Sequence, residues 1–213
     1  MKTRLPAPYQ PAYYEGAKGP FLVLEGVSGI GKSTLARLLA GRLNATGLHT
    51  LPAPHSEWST MINSRLRALP QFGYYLSGVL HASDSIRQTR MIGPVIADRY
   101  VSSVIACHAA VHGVDIDTVT RLLEPFRDYL EAPTRTFYLR CSEEQLRERL
   151  ATKQDIKSDD TDLLKVPDRL TWLLHNFEQV AASDPSAVWL DTDGRTPDDL
   201  AVWILTQLET PSA

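Results

Sequence analysis

FLVLEGVSGIGKSTLARLLAGRL, residues 21–43, is the stretch whose reading decides the fold. Phe21 to Leu24 is a short apolar run of the kind a buried parallel strand presents. Gly26, Gly31, Lys32 and Ser33 then fill every fixed position of G-x-x-x-x-G-K-[ST], and Thr34 follows. Beyond the loop, Leu35, Leu38, Leu39 and Leu43 recur at helical spacing, so a helix starts where the glycines stop. From average composition, those four residues fall in this pattern by chance in about 1 chain in 100 of this length, before the flanking strand and helix are required. The chemistry is that of a phosphate-binding loop (P-loop): backbone N–H groups close around phosphate oxygens, and a helix N-terminus adds partial positive charge. Gly26, Ser28, Gly29, Ile30, Gly31, Lys32, Ser33 and Thr34 are therefore the expected contacts to a nucleotide triphosphate. Lys32 would reach the β- and γ-phosphates, and the Ser33 hydroxyl would ligate Mg²⁺.

Working outward, the chain has 213 residues, 43% of them hydrophobic, which suffices for one well-buried core and is short for two. A net charge of −3 gives no general basic excess of the kind a dedicated nucleic-acid binder shows. Two cysteines, Cys107 and Cys141, are too few for a disulfide framework and suit a reducing cytoplasm. No apolar run approaches the roughly 20 residues that span a bilayer, and the N-terminus lacks an apolar signal core. Neither nucleic acid nor membrane is an expected partner.

Residues 1–19 carry Pro6, Pro8, Pro11, Gly16 and Gly19 among Tyr9, Tyr13 and Tyr14. Such a stretch cannot make a long helix and reads as a flexible, extended tail preceding a single domain over 20–213, with docking of its aromatics on the body or on a partner as the alternative. Within that domain, strands are expected at 48–51, 94–97, 134–139 and 187–190. Helices are expected at 57–69, 74–90, 100–112, 115–130, 143–151, 168–183 and 197–208, with Pro70 and Gly73 breaking 57–69 from 74–90. The stretch 152–166 is polar. Strands alternating with helices predict an α/β fold, a doubly wound parallel five-stranded sheet with helices on both faces.

The apolar run Val95–Ala97 leads into Asp98-Arg99-Tyr100. In doubly wound sheets ligands sit at the carboxyl ends of strands, so Asp98 should converge with the glycine loop and share Mg²⁺ with Ser33. Arg99 adds a permanently charged planar fork suited to an anionic oxygen. Lys32, Asp98 and Arg99 are the expected catalytic residues. Phe72, Tyr74 and Tyr75 are candidates to stack on a planar acceptor base, with packing against the core the expected role of at least two of them.

Glu25, the EGVSGIGKST loop and DRYVSSVIA at 98–106 together resemble thymidylate kinases and their deoxynucleoside-kinase relatives within the P-loop NTPases. Asp98, Arg99, Tyr100, Ser103 and Ala106 match the thymidylate kinase pattern at the third strand, where deoxynucleoside kinases carry E-R-S. APTRTFYLRCSEEQLRERL resembles that family's fourth strand and lid helix, and LDTDGRTPDDLAVWI its last strand and helix. The resemblance implies ATP and Mg²⁺ as cofactors, a small nucleotide-like acceptor and a homodimer. It implies that Arg99 grips the acceptor phosphate, with Tyr100 and Arg87 (or Arg90) beside it. It also implies a lid near 152–166, whose charge would come from Arg149, Arg147, Lys153 or Lys157; Arg147 and Arg149 point roughly 200° apart, so only one faces the site.

All departures from the family fall on the acceptor side. LPAPHSEW stands where R-E-P-G-G-T is usual, Ser28 replaces a loop carboxylate, and Cys107 and His108 replace tyrosine and glutamine. The expected function is transfer of the γ-phosphoryl of Mg·ATP to a nucleotide-like acceptor, first a pyrimidine nucleoside monophosphate. The alternatives are a kinase acting on a hydroxyl of a nucleoside or a specialised metabolite such as an antibiotic, and a non-catalytic nucleotide-binding switch. Deoxynucleoside kinases place a glutamate base where this chain has Ala53, which weighs against the hydroxyl acceptor unless Glu57 or Asp98 substitutes, while the missing arginine of R-E-P-G-G-T weighs against a standard monophosphate kinase. GTPase switches carry an N-K-x-D that is absent from the sequence.

Overall fold

The computed structural model describes residues 5–9, 19–152 and 163–209. Five strands, β1 (Phe21–Glu25), β2 (Thr46–His49), β3 (Val95–Asp98), β4 (Arg135–Arg140) and β5 (Ala187–Asp191), pair in parallel in the order β2-β3-β1-β4-β5. The expected doubly wound sheet is present. Around it lie α1 (Lys32–Leu43), α2 (His55–Arg65), α3 (Ala68–Arg90), α4 (Val101–His112), α5 (Ile116–Leu123), α6 (Glu143–Thr152), α7 (Arg169–Ser183) and α8 (Pro197–Glu209).

Period-2 alternation sorts the central strand's side chains between two cores. Leu22 and Leu24 join Leu35 and Leu39 of α1 and Ile204 of α8. Phe21 and Val23 join Val79 and Ile86 of α3 and Val104 and Ile105 of α4. Strand β3 alternates likewise, with Ile96 in the first cluster and Val95 and Ala97 in the second. Both sheet faces are dry, which is why these strands read as unbroken apolar runs. The parity reaches the functional end. Asp98 continues the α1 face from Ile96, whereas Glu25 continues the α4 face from Val23, and Leu24 pairs with Asp98 in register.

Three local expectations are corrected. Pro70 and Gly73 do not break a helix: both lie inside α3, and the chain turns instead at Leu66, whose ψ of 147° is extended. Pro70 is third in α3, within the first turn, where a missing N–H costs nothing. The helix expected over 115–130 ends at Leu123 and tightens into a 3₁₀ turn over Glu124–Tyr129, with Pro125 at its start. The edge strand β2 lies two residues earlier than expected, because Thr50 and Leu51 turn inward and are buried. Part of the N-terminal stretch, residues 5–9, is described. Leu5 and Tyr9 are buried in the α3–α4 cluster, so the apolar gain of docking outweighs the freedom of a loose arm there.

Candidate active site

The glycine loop joins β1 to α1 with the backbone its glycines permit. Gly26 has φ 136°, and a Cβ there would sit 2.8 Å from the Leu139 carbonyl oxygen. Gly31 has φ 104° and occupies the cap position of α1, with no side-chain cap present. The first amides of α1 thus meet the loop's concave side without a competing side-chain acceptor on the cap residue. Lys32 is buried, and its Nζ donates to the Val27 carbonyl at 2.7 Å. Burial first, and then the nearby Arg99 charge, push its pKa down to about 7 against the opposing pull of Asp98 and Glu25. An anion in the loop would favour the charged ammonium.

Across the cleft, the Ser33 hydroxyl donates to Asp98 Oδ2 in a short contact. The Asp98 carbonyl in turn accepts from the Thr50 N–H at 3.3 Å and the Thr50 hydroxyl at 3.2 Å, fixing the strand end. The structure therefore brings the expected metal pair, Ser33 and Asp98, together on the α1 face of the sheet.

Arg99 takes a left-handed backbone, φ 71°, which costs an arginine about 1–3 kcal/mol unless its surroundings hold it. They do. Its N–H donates to the Leu24 carbonyl at 3.0 Å, and its Nη1 donates to Ser103 Oγ at 3.0 Å. Glu25, fully buried, accepts from the N–H groups of Tyr100 (2.8 Å) and Ser103 (3.2 Å) and from the Ser103 hydroxyl. Burial raises the Glu25 pKa, with the Ser103 hydrogen bond and Arg99 opposing it. Glu25 thus acts as the clamp between β1 and the start of α4. A role for it was not read from the sequence, although an acid directly before the first loop glycine, on the parity that faces α4, was the available signal.

The remaining expected residues divide. Tyr100 is not a ligand-facing group: its ring is wholly buried between Tyr9 and Phe21. Arg87 is also corrected. It bonds Asp84 and the Tyr129 carbonyl and pairs with Glu131, which Arg90 also contacts. Arg90 donates to the Gly19 carbonyl, so both arginines sit where strands begin, at the opposite sheet end from the glycine loop. The Phe72 ring is buried edge-on to His108 at 5.4 Å, and the Tyr75 hydroxyl donates to Asn63 at 2.8 Å. Asn63 also accepts from Gln71 at 2.8 Å, and Gln71 contacts His112, a helix-to-helix network that the sequence did not reveal. Burial and His112 lower the His108 pKa to about 4.

Of the two lid-helix arginines, Arg149 turns to the loop. Its Nη1 donates to the Ile30 carbonyl at 3.0 Å and to Thr192 Oγ1 at 2.9 Å, whereas Arg147 pairs with Glu143 on the surface. Lys153, Lys157 and most of the expected lid lie outside the described residues.

A glycine loop at a parallel strand end, a buried lysine within it and a Ser–Asp pair opposite define a P-loop kinase-type nucleotide site. A profile of the thymidylate kinase family matches residues 24–192. The chain belongs to the thymidylate kinase family and is an ATP-dependent nucleotide kinase. A probable thymidylate kinase of Methanococcus aeolicus is 26% identical over 196 residues, spanning 88% of this chain and 95% of the relative. Among solved structures, the thymidylate kinase of Candida albicans superposes with a TM-score of 0.75 at 19% identity, covering 90% of this chain and 92% of that one. A deoxyadenosine kinase of M. mycoides reaches 0.65 at 18% identity, covering 89% and 98%. At such identities these two show the shared fold.

Proposed function

We propose that the protein transfers the γ-phosphoryl group of ATP to the phosphate of a pyrimidine nucleoside monophosphate, with Lys32, Asp98 and Arg99 as the acting residues. The loop amides and Lys32 hold the β- and γ-phosphates. Arg99 orients the acceptor phosphate in line, and an acceptor oxygen attacks the γ-phosphorus as the bond to the ADP oxygen breaks. A phosphate oxyanion needs no deprotonation, so no general base is required. Mg²⁺ fits the Ser33 hydroxyl and Asp98 carboxylate, two hard oxygen donors, and supplies charge neutralisation to the polyphosphate when bound. Arg149 braces the loop through Ile30.

The observation that carries this reading is the pairing of Ser33 with Asp98 across the cleft. It leaves the Asp98 carboxylate engaged on the nucleotide side, and Ala53 offers no base for a sugar hydroxyl. Family membership supports a monophosphate acceptor. A homodimer in a reducing cytoplasm completes the proposal, and sedimentation of the free protein tests the dimer. The acceptor is tested by incubating the protein with Mg·ATP and a panel of nucleosides and nucleoside monophosphates and counting ADP. Turnover on pyrimidine monophosphates is expected; turnover on nucleosides alone would overturn it.

A further inference from the structure

Tyr9 precedes residues 24–192, which carry the family match. Nevertheless it reaches the back of the site. Its ring stacks on Tyr100 at 5.9 Å with an interplanar angle of 11°, while Phe21 meets Tyr100 edge-on at 5.4 Å and 80°. Tyr100 directly follows Arg99, whose left-handed backbone needs outside support. The Tyr9 hydroxyl lies 3.4 Å from Ser102 Oγ. Ser102 Oγ is 2.8 Å from the Tyr138 hydroxyl, which donates to Asp184 Oδ2 at 2.9 Å. Ser102 is the neighbour of Ser103, the residue that bonds both Glu25 and the Arg99 guanidinium. Tyr9 therefore touches the start of α4 at two points, one on each side of Val101. Leu5, buried in the same cluster, anchors the segment that delivers it.

We propose that Tyr9 is a positioning residue for Arg99: the N-terminal segment forms one wall of the aromatic box around Tyr100 and so fixes the guanidinium that receives the acceptor phosphate. The inference rests on the proposed role of Arg99. Without the stacked plane, Tyr100 gains room to rock, and the Arg99 turn relaxes. The loss falls on the acceptor, because Lys32 and the glycine loop are held from the other face of the sheet.

Steady-state kinetics of the full chain test this, run well below each variant's melting temperature. Tyr9→Leu keeps apolar bulk and removes the plane; Tyr9→Phe keeps the plane and removes the hydroxyl. For Tyr9→Leu, kcat/KM for the monophosphate is expected to fall about tenfold while KM for ATP stays within about twofold. Tyr9→Phe is expected to rescue activity to within about twofold of the unaltered protein, because a 3.4 Å hydroxyl contact is weak. Unchanged acceptor kinetics in a folded Tyr9→Leu, or equal losses for ATP and acceptor, would overturn the inference. Arg99→Ala, assayed alongside, separates the two layers. If it collapses acceptor kinetics while Tyr9→Leu does not, only the Tyr9 role is lost. If Arg99→Ala is itself without effect, the reading of Arg99 fails, and the role of Tyr9 fails with it.

Discussion

The proposed donor and acceptor halves of the cleft are held in different ways. On the donor side, one contiguous segment from β1 to α1 supplies loop, lysine and hydroxyl, and a single residue from β3 completes it. On the acceptor side, nothing is contiguous. Arg99 is placed by Glu25 from β1, by Ser103 from α4 and, through Tyr100, by Phe21 and Tyr9. Tyr75 and Gln71 meet Asn63, and Gln71 meets His112, only because α2, α3 and α4 pack together. Polyphosphate is one shape in every nucleotide, so a short motif recognises it. An acceptor base and sugar differ from substrate to substrate, and distributed packing can change without disturbing the donor half.

The contrast can be attacked from its strongest point. Lys32→Ala is expected to cut kcat about a thousandfold or more, with circular dichroism unchanged, because it removes the buried cation facing the transferring group. Substantial turnover in a folded variant would break the donor-side reading. Arg99→Ala should lower kcat/KM for the acceptor about a hundredfold and leave ATP binding nearly intact. A matching loss in ATP affinity, measured by calorimetry, would mean the halves are not separable.

Glu25→Ala probes the seam between them. It leaves two buried N–H groups and a hydroxyl without their acceptor, so urea unfolding should show a loss of about 2–4 kcal/mol. A loss of a few tenths would mean water or another group replaces the carboxylate. His108, buried against Phe72, gives a pH test of that packing. Its pKa is about 4 in the folded chain against 6.5 when exposed, so the unfolded chain binds the extra proton between these values. Stability is full above pH 6.5 and falls as pH drops toward 4, by about 1–3 kcal/mol. Flattening of that slope in His108→Gln, followed by thermal melts from pH 7 to 4, is the expected result. The smallest effect belongs to Arg87→Ala, which should leave kinetics within about twofold, since Arg87 serves Glu131 at the far sheet end.

Legibility followed the same division. Strand, glycine loop, helix and the acidic strand end were readable because periodicity and a local motif determine them, and alternation along β1 and β3 even contained the facing of Asp98. Three kinds of feature were not readable. Pro70 reads as a breaker, yet its place in the first turn of α3 makes it harmless. Motif position and resemblance point Tyr100 and Arg87 at substrate, yet burial of one and the Glu131 pairing of the other are set by contacts tens of residues away. Tyr9 lay in a proline-rich stretch whose composition argues for looseness, and only the slot beneath α4 makes it ordered.

A crystal structure with a non-hydrolysable ATP analogue and a pyrimidine monophosphate bound tests most directly whether the loop and Asp98 form one nucleotide site with Arg99 at its acceptor end. The β- and γ-phosphates should lie within hydrogen-bonding distance of the amides between Gly29 and Thr34, with the acceptor phosphate on Arg99. A polyphosphate bound elsewhere, or an acceptor phosphate remote from Arg99, would contradict it.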